Sequence, residues 1–216
     1  MNERAFYAIV IAIVVVGGIG IGLAYDHQAS TGTAASSGPF HLTLAIIPGL
    51  YFNSTYPDQP AYFIVNNGTL ESSANISVPA HMLIDLTIVD YDSGPGTGTP
   101  PVYQNVSGTV GNVVYLFNST LAQGGVKAGA SNASISINSN TTKVISHMSI
   151  ADIAHTLTVS SPGSTSATLN IPVGHGVEFA QFYVNVTGTY NWNCNVPCGT
   201  AAMETSGWMM GTFYVY

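Results

Sequence analysis

From residue 40 to the C-terminus the chain never sustains a helical apolar period. Apolar residues come instead in short runs, cut repeatedly by Gly, Pro and Asn. Such runs cannot cover one side of a helix. They fit short strands joined by turns, which bury their apolar faces only by packing sheet on sheet or closing into a barrel. The expected strands are 41–48, 61–66 (AYFIVN), 74–78 (ANISV), 83–91 (LIDLTIVDY), 110–117, 144–147 leading into 153–159 (IAHTLTV), 167–171, 176–186, 188–193 and 211–216 (GTFYVY). The expected fold class is all-β.

Ahead of this domain, residues 5–25 carry no charge, and a stretch of that length spans a bilayer core of about 30 Å as a helix. Arg4 precedes it and Asp26 follows, so the positive-inside rule puts residues 1–4 in the cytoplasm and the rest outside. The apolar core of a cleaved signal peptide is shorter, which favours an uncleaved single-pass anchor. Gly18 and Gly22 have the spacing that lets a second helix approach. Residues 26–39, rich in Ser, Thr, Gly and Ala, read as a flexible linker, and 40–216 as the domain, with a turn-rich segment at 93–143.

Charged residues make up 6% of the chain, and Arg4, Lys127 and Lys143 are its only Lys or Arg residues. So few cations cannot neutralise phosphate, which excludes a nucleic-acid partner. Ser, Thr, Asn and Gly carry the solubility instead, and a surface of that kind changes little when carboxylates protonate, as an acidic exterior requires. Asn-x-Ser/Thr acceptors at Asn53, Asn67, Asn75, Asn105, Asn118, Asn132, Asn140 and Asn185 fit an exported glycoprotein.

The chemistry concentrates near the C-terminus, in Tyr190-x-Trp192-x-Cys194-x-x-x-Cys198-Gly199 followed by Met203, Glu204, Trp208 and Met209-x-Gly211. A strand ending at Cys194 and another opening after Met209 bring thiolate and thioether to one hairpin mouth, with His155 on a separate strand that can pack beside it. Imidazole, thiolate and thioether together are soft ligands that favour copper. The two cysteines have no other partner in the chain, so a Cys194–Cys198 disulfide in an oxidising compartment is the open alternative.

These segments resemble the cupredoxin family. Asp152-Ile-Ala-His155-Thr-Leu-Thr-Val159 looks like its first-histidine strand, and Tyr190-x-Trp192-x-Cys194 with Met209-x-Gly211 like its closing ligand loop. Ile76-Ser-Val-Pro-Ala80 with 83–89 resembles the paired strands of sulfocyanin and rusticyanin. Cys194-x-x-x-Cys198-Gly199 resembles the dinuclear copper loop of cytochrome c oxidase subunit II. The resemblance covers 74–92 and 144–216, and 93–143 stand as an insertion. It implies a Greek-key sandwich holding copper, mononuclear or dinuclear, by His155, Cys194, Cys198 and Met209, with Met203 a substitute donor. The departures are definite: the dinuclear pattern wants a histidine where Ala202 stands, and the mononuclear pattern wants one between Cys194 and the methionine. The implied function is respiratory electron transport, as a subunit II-like component of a haem-copper oxidase among other membrane subunits. The alternatives are a copper-free docking subunit of a quinol oxidase-type complex, or a glycosylated surface protein.

The other histidines rank lower. His175 lies in a turn that supplies a second imidazole only if it folds over the site; His41 and His81 read as solvated, His27 as juxtamembrane, and His147 has no motif around it. Met210 is expected in the core, Tyr190 and Trp192 in the core or shielding the site, Trp208 and Met203 as a lid folded over the site or else an apolar docking patch around it, and Glu204 as a solvated carboxylate. No nucleophile elbow, phosphate loop or zinc-protease motif occurs, and the carboxylates show no acid/base pairing. No catalytic residue is expected.

Overall fold

A computed structural model of the chain describes residues 38–67, 69–92, 98–119, 137–164 and 166–216. The anchor at 5–25, most of the linker and the acceptor Asn132 lie outside the described residues, as do the side chains of Asn118 and Asn140. No helix among the described residues is long and apolar enough to cross a membrane.

Among the described residues, twelve strands build two facing sheets. In chain order they are β1 (Phe40–Ile47), β2 (Ala61–Asn66), β3 (Thr69–Ser72), β4 (Asn75–Val78), β5 (Leu83–Asp90), β6 (Val114–Ser119), β7 (Ile137–Ile145), β8 (His155–Ser160), β9 (Ala167–Val173), β10 (Gly176–Tyr183), β11 (Gly188–Asn193) and β12 (Met210–Val215). One sheet runs β3-β2-β1-β5-β10-β6-β7 and the other β4-β12-β11-β8-β9. Strands β6 and β7 come from the turn-rich segment and extend the edge of the larger sheet.

Most expected strands are found, with ends moved by a few residues, but only residues 144–145 of β7 were expected, and Val110–Asn112, expected as strand, is a 3-10 turn. Also unpredicted are β3, the 3-10 turns Gly49–Tyr51 and Pro101–Gln104, and a single-turn helix α1 (Thr200–Glu204) inside the Cys–Met loop. Alternation explains the core between the sheets. Leu42, Leu44 and Ile46 of β1 point inward, while Ala45 and Ile47 point outward. The outward pair sits under a second apolar cluster with Tyr51, Val89, Tyr91 and Val177. Strand β5, paired parallel to β1 and antiparallel to β10, is buried on both faces, and its Asp85, Thr87 and Asp90 are buried along with its apolar residues.

Two glycines fix the hairpin that carries the sulfur donors. At Gly211 of β12 a Cβ would meet the Trp192 indole nitrogen at 2.6 Å and the Ala74 carbonyl at 2.7 Å. The bare backbone lets the indole N–H pass and donate to the Ser73 carbonyl, 2.9 Å away. Gly199 has a φ of 101°, and a side chain there would collide with Gln59.

Candidate metal centre

The smaller sheet delivers three donors to one end. Strand β11 lies between β12 and β8, so the residue leaving β11 has the start of β12 on one side and the start of β8 on the other. That residue is Cys194. Its N–H donates to the Met209 carbonyl at 2.7 Å, continuing the register Asn193↔Met210, Trp192↔Gly211. Residues directly opposite across antiparallel strands share a face, so Cys194 and Met209 both face the interior, and both are fully buried. His155 opens β8 on that same face and is also buried. Met210 alternates to the outer face and is 38% exposed. The expectation that it is core is thus corrected by strand parity.

The loop closes the set. Cys198 Sγ lies 3.5 Å from Cys194 Sγ and 3.2 Å from His155 Nδ1. Cys194 Sγ is 4.0 Å from the same nitrogen. Ligand atoms of His155, Cys194 and Cys198 all fall within 4.8 Å of one another. Both cysteines are free thiols.

The imidazole is oriented from behind. Its Nε2 lies 3.1 Å from Asp92 Oδ2, and an ionised carboxylate only accepts. Nε2 therefore carries a hydrogen, and Nδ1 is the nitrogen that faces the two sulfurs, free to ligate once its own proton is displaced. This is how a metal-binding histidine is held by its outer partner.

The thiolate is prepared by backbone. Thr156 N–H and Val196 N–H point at Cys194 Sγ from 3.3 and 3.4 Å. Burial alone would push the Cys194 thiol up; hydrogen bonds from Cys198 and His155, with the nearby imidazole charge, outweigh it and hold the thiol well below its usual value. Cys198 moves the other way, because its hydrogen bond to Cys194 and its burial both keep its proton on. For His155 burial acts downward, but Asp90, Asp92 and Cys194 override it and raise the imidazole to about 10. Without metal the site thus holds a thiolate, a thiol and an imidazolium, and any metal entering must displace protons.

Polar scaffolding fixes the loop. Asn195 N–H donates to Thr156 Oγ1 and Asn195 Nδ2 to Thr158 Oγ1, both at 2.7 Å, while Thr158 Oγ1 donates to Asn170 Oδ1, also at 2.7 Å. From the loop before β2, Gln59 Oε1 accepts the Ala202 N–H at 2.8 Å. The Tyr62 ring packs edge-on to His155 and Trp192, centroids 6.5 and 5.3 Å apart.

Ala202, where the dinuclear pattern wants a histidine, is fully buried on α1. Met203, also on α1, is half-buried against the core, and Glu204 is exposed. Trp208 is half-buried edge-on to Phe52 and Tyr56 rather than lying open. His175 is not drawn into the Cys pair: its Nδ1 lies 2.6 Å from the Asp92 carbonyl. His41, His81 and His147 are exposed, His41 pairing with Asp85 at 3.5 Å and His147 Nδ1 lying 3.1 Å from Asn105 Oδ1. Of the acceptor asparagines, Asn67, Asn75, Asn105 and Asn185 are exposed, and Asn53 is half-buried, its side chain capping Thr55 N–H.

Buried carboxylates that the sequence did not single out flank the site. Besides Asp92, Asp90 and Glu178 are buried on the inner side of the larger sheet, with Asp90 Oδ2, Glu178 Oε2 and the Tyr62 hydroxyl lacking a hydrogen-bond partner. Burial, partly offset by His155, pushes Asp90 up to about 8, and burial likewise raises Glu178. Asp90 therefore keeps its proton at neutral pH, and the charge holding His155 up comes then from Asp92 and Cys194. One sequence signal existed: Asp90 directly follows the apolar pair Ile88-Val89, with Asp92 two residues on, where a carboxylate needs a reason to be.

No protein-family model and no curated protein matches the chain. Among solved structures it is similar to reduced rusticyanin at 13% identity, covering 93% of this chain and 96% of that one, with a TM-score of 0.41. It is similar to a methionine-to-leucine variant of rusticyanin at 12%, covering 93% of each, TM-score 0.41. Rusticyanin from Thiobacillus ferrooxidans matches at 14%, covering 93% and 94%, TM-score 0.38. Overlaps this loose fix neither chemistry nor partner.

Proposed function

We propose that this domain binds copper between its sheets and passes single electrons through it, as a cupredoxin-type component of a membrane respiratory chain. One observation carries the reading: His155 Nδ1, turned by Asp92, faces two buried sulfurs, with Met209 opposite Cys194 on the adjoining strand. Soft thiolate and thioether donors with one imidazole select copper over hard cations. When bound, copper supplies the one-electron couple. The chain's own residues do the rest. Two rigid strands and the Asn195–Thr158–Asn170 network hold the donors in place, so changing the oxidation state moves little. Burial of all four keeps water from the site. With one imidazole, and Ala202 filling the second histidine's place, the donor set differs from both family patterns.

The subunit II-like role, the anchor at 5–25, the extracytoplasmic location and the glycan coat belong to this proposal, resting on the sequence features described above. Ala202 also supports a second reading, a copper-free docking subunit in which Cys194 and Cys198 close a disulfide. Metal analysis of the full-length protein after exposure to cuprous ion, beside His155→Ala checked for folding by circular dichroism, separates the two. Copper retained by wild type and lost in the variant is the expected result. Equal copper in both, or none in either, sinks the copper reading.

A further inference from the structure

A cleft of about 580 Å³ opens between the β6–β7 hairpin, the 147–152 connection and the start of β10. Phe117, Ile145 and Met148 form its apolar wall, and Lys143, Asp152 and His175 its polar rim. The volume falls in the range of small-molecule sites. It lies outside the Cys–His cluster yet is joined to it. His175 Nδ1 is 2.6 Å from the Asp92 carbonyl, Asp92 Oδ2 is 3.1 Å from His155 Nε2, and His155 Nδ1 is 3.2 Å from Cys198 Sγ. A carbonyl only accepts, so His175 Nδ1 carries a ring hydrogen, and Nε2 is the ring nitrogen not engaged by the Asp92 carbonyl. The His175 side chain remains 31% exposed at the rim.

The lining selects the occupant. A single lysine beside Asp152 and Glu178 cannot hold a phosphate-bearing cofactor, and no cluster of three metal-ligating side chains occurs there among the described residues. Apolar wall and hydrogen-bonding rim together fit a neutral ring bearing hydroxyl groups. We propose that this cleft binds a small hydroxyaromatic reductant of the hydroquinone type and is the electron entry to the metal centre. The inference rests on the copper reading above. In the step, the aryl O–H bond breaks and its proton goes to His175 Nε2. One electron leaves the ring, which becomes an aryloxyl radical, and travels through Asp92 and His155 to reduce cupric to cuprous copper.

Two measurements on the full-length protein test this. Ligand-observed NMR with benzene-1,4-diol reads binding to the metal-free protein, beside Ala151→Trp, which fills the cleft from an exposed lining position. Stopped-flow reduction of the copper-loaded protein compares benzene-1,4-diol with hexaammineruthenium(II), in wild type and His175→Phe. The expected results are binding that Ala151→Trp abolishes, a reduction rate that saturates with the diol, and a loss of at least about tenfold in His175→Phe for the diol alone, as removal of a proton acceptor predicts. Copper uptake without diol binding overturns the inference and leaves the copper reading standing. Equal slowing with both reductants also overturns it. Diol binding to a protein that takes up no copper overturns the copper reading, and the electron step with it.

Discussion

Asp92 decides which nitrogen of His155 is free. Its carboxylate holds Nε2–H at 3.1 Å and leaves Nδ1 to the sulfurs; in Asp92→Ala nothing on that side selects the tautomer or fixes the ring. Copper affinity in the variant is expected to fall by about 10–100-fold, the usual cost of losing a histidine's outer partner. Competition against a cuprous chelator reads it, and an unchanged affinity would show that the hydrogen bond is incidental. His155, Cys194 and Met209 were legible because each sits in a local pattern, strand-terminal or hairpin-flanking. Asp92 was not, because it reaches His155 across 63 positions from just beyond the end of β5, with no local ligand pattern around it. Gln59 was hidden for the same reason: it acts on Ala202 from 143 positions away.

At the scale of elements, the β11–β12 hairpin is the frame of the site, and it depends on the absence of a side chain at Gly211. Adding one methyl there meets the Trp192 indole and two backbone carbonyls of the 73–74 turn, neither a flexible tip. Gly211→Ala is expected to destabilise the fold by roughly 1–3 kcal/mol, in the range of overpacking a tight core. Urea unfolding measures this, and a midpoint equal to wild type would mean the turn yields freely. The hairpin itself could be read from Tyr190-x-Trp192-x-Cys194 and Gly-Thr-Phe-Tyr-Val-Tyr, since alternation survives in both. Helix α1 could not. Five residues, Thr200–Glu204, are too few to show a period. The turn is closed by the Met203 N–H on the Gly199 carbonyl, and Gln59 holds the Ala202 N–H from outside. Strand β3, four residues with one apolar side chain, exists only because β2 offers it an edge.

For the whole molecule, what composition says about charge meets what the sandwich does with it. The ion pairs of the described residues all use histidine: His41–Asp85, His155–Asp92 and His175–Asp90. Sheet order was not legible, because it is set by long-range pairing such as β1 with β5 and β10 with β5. That pairing is what buries Asp90 among Tyr62, Glu178, Asp92, His155, His175 and Cys194. The Asp90 carboxyl stands at about 8 in the fold against 3.8 when free in an unfolded chain. Since the folded value is the higher, the unfolded chain loses this proton first as pH rises. The contribution is therefore complete below about 4, declines between about 4 and 8, and is gone above, with a slope of at most about 1.4 kcal/mol per pH unit. Cys194 and His155 also titrate, with opposing effects, so the quantity to measure is a difference. In metal-free protein, the unfolding free energy of wild type minus that of Asp90→Asn should fall as pH rises from 4 to 8 and then level. The two retain the same shape, and the Asn keeps an oxygen for the Asp92 N–H that Asp90 Oδ1 now accepts at 2.8 Å. A difference that stays constant across that interval would mean the carboxyl ionises in the fold as it does in water. A falling one shows that this carboxyl favours the fold in acid, the condition that the charge-poor sequence also suits.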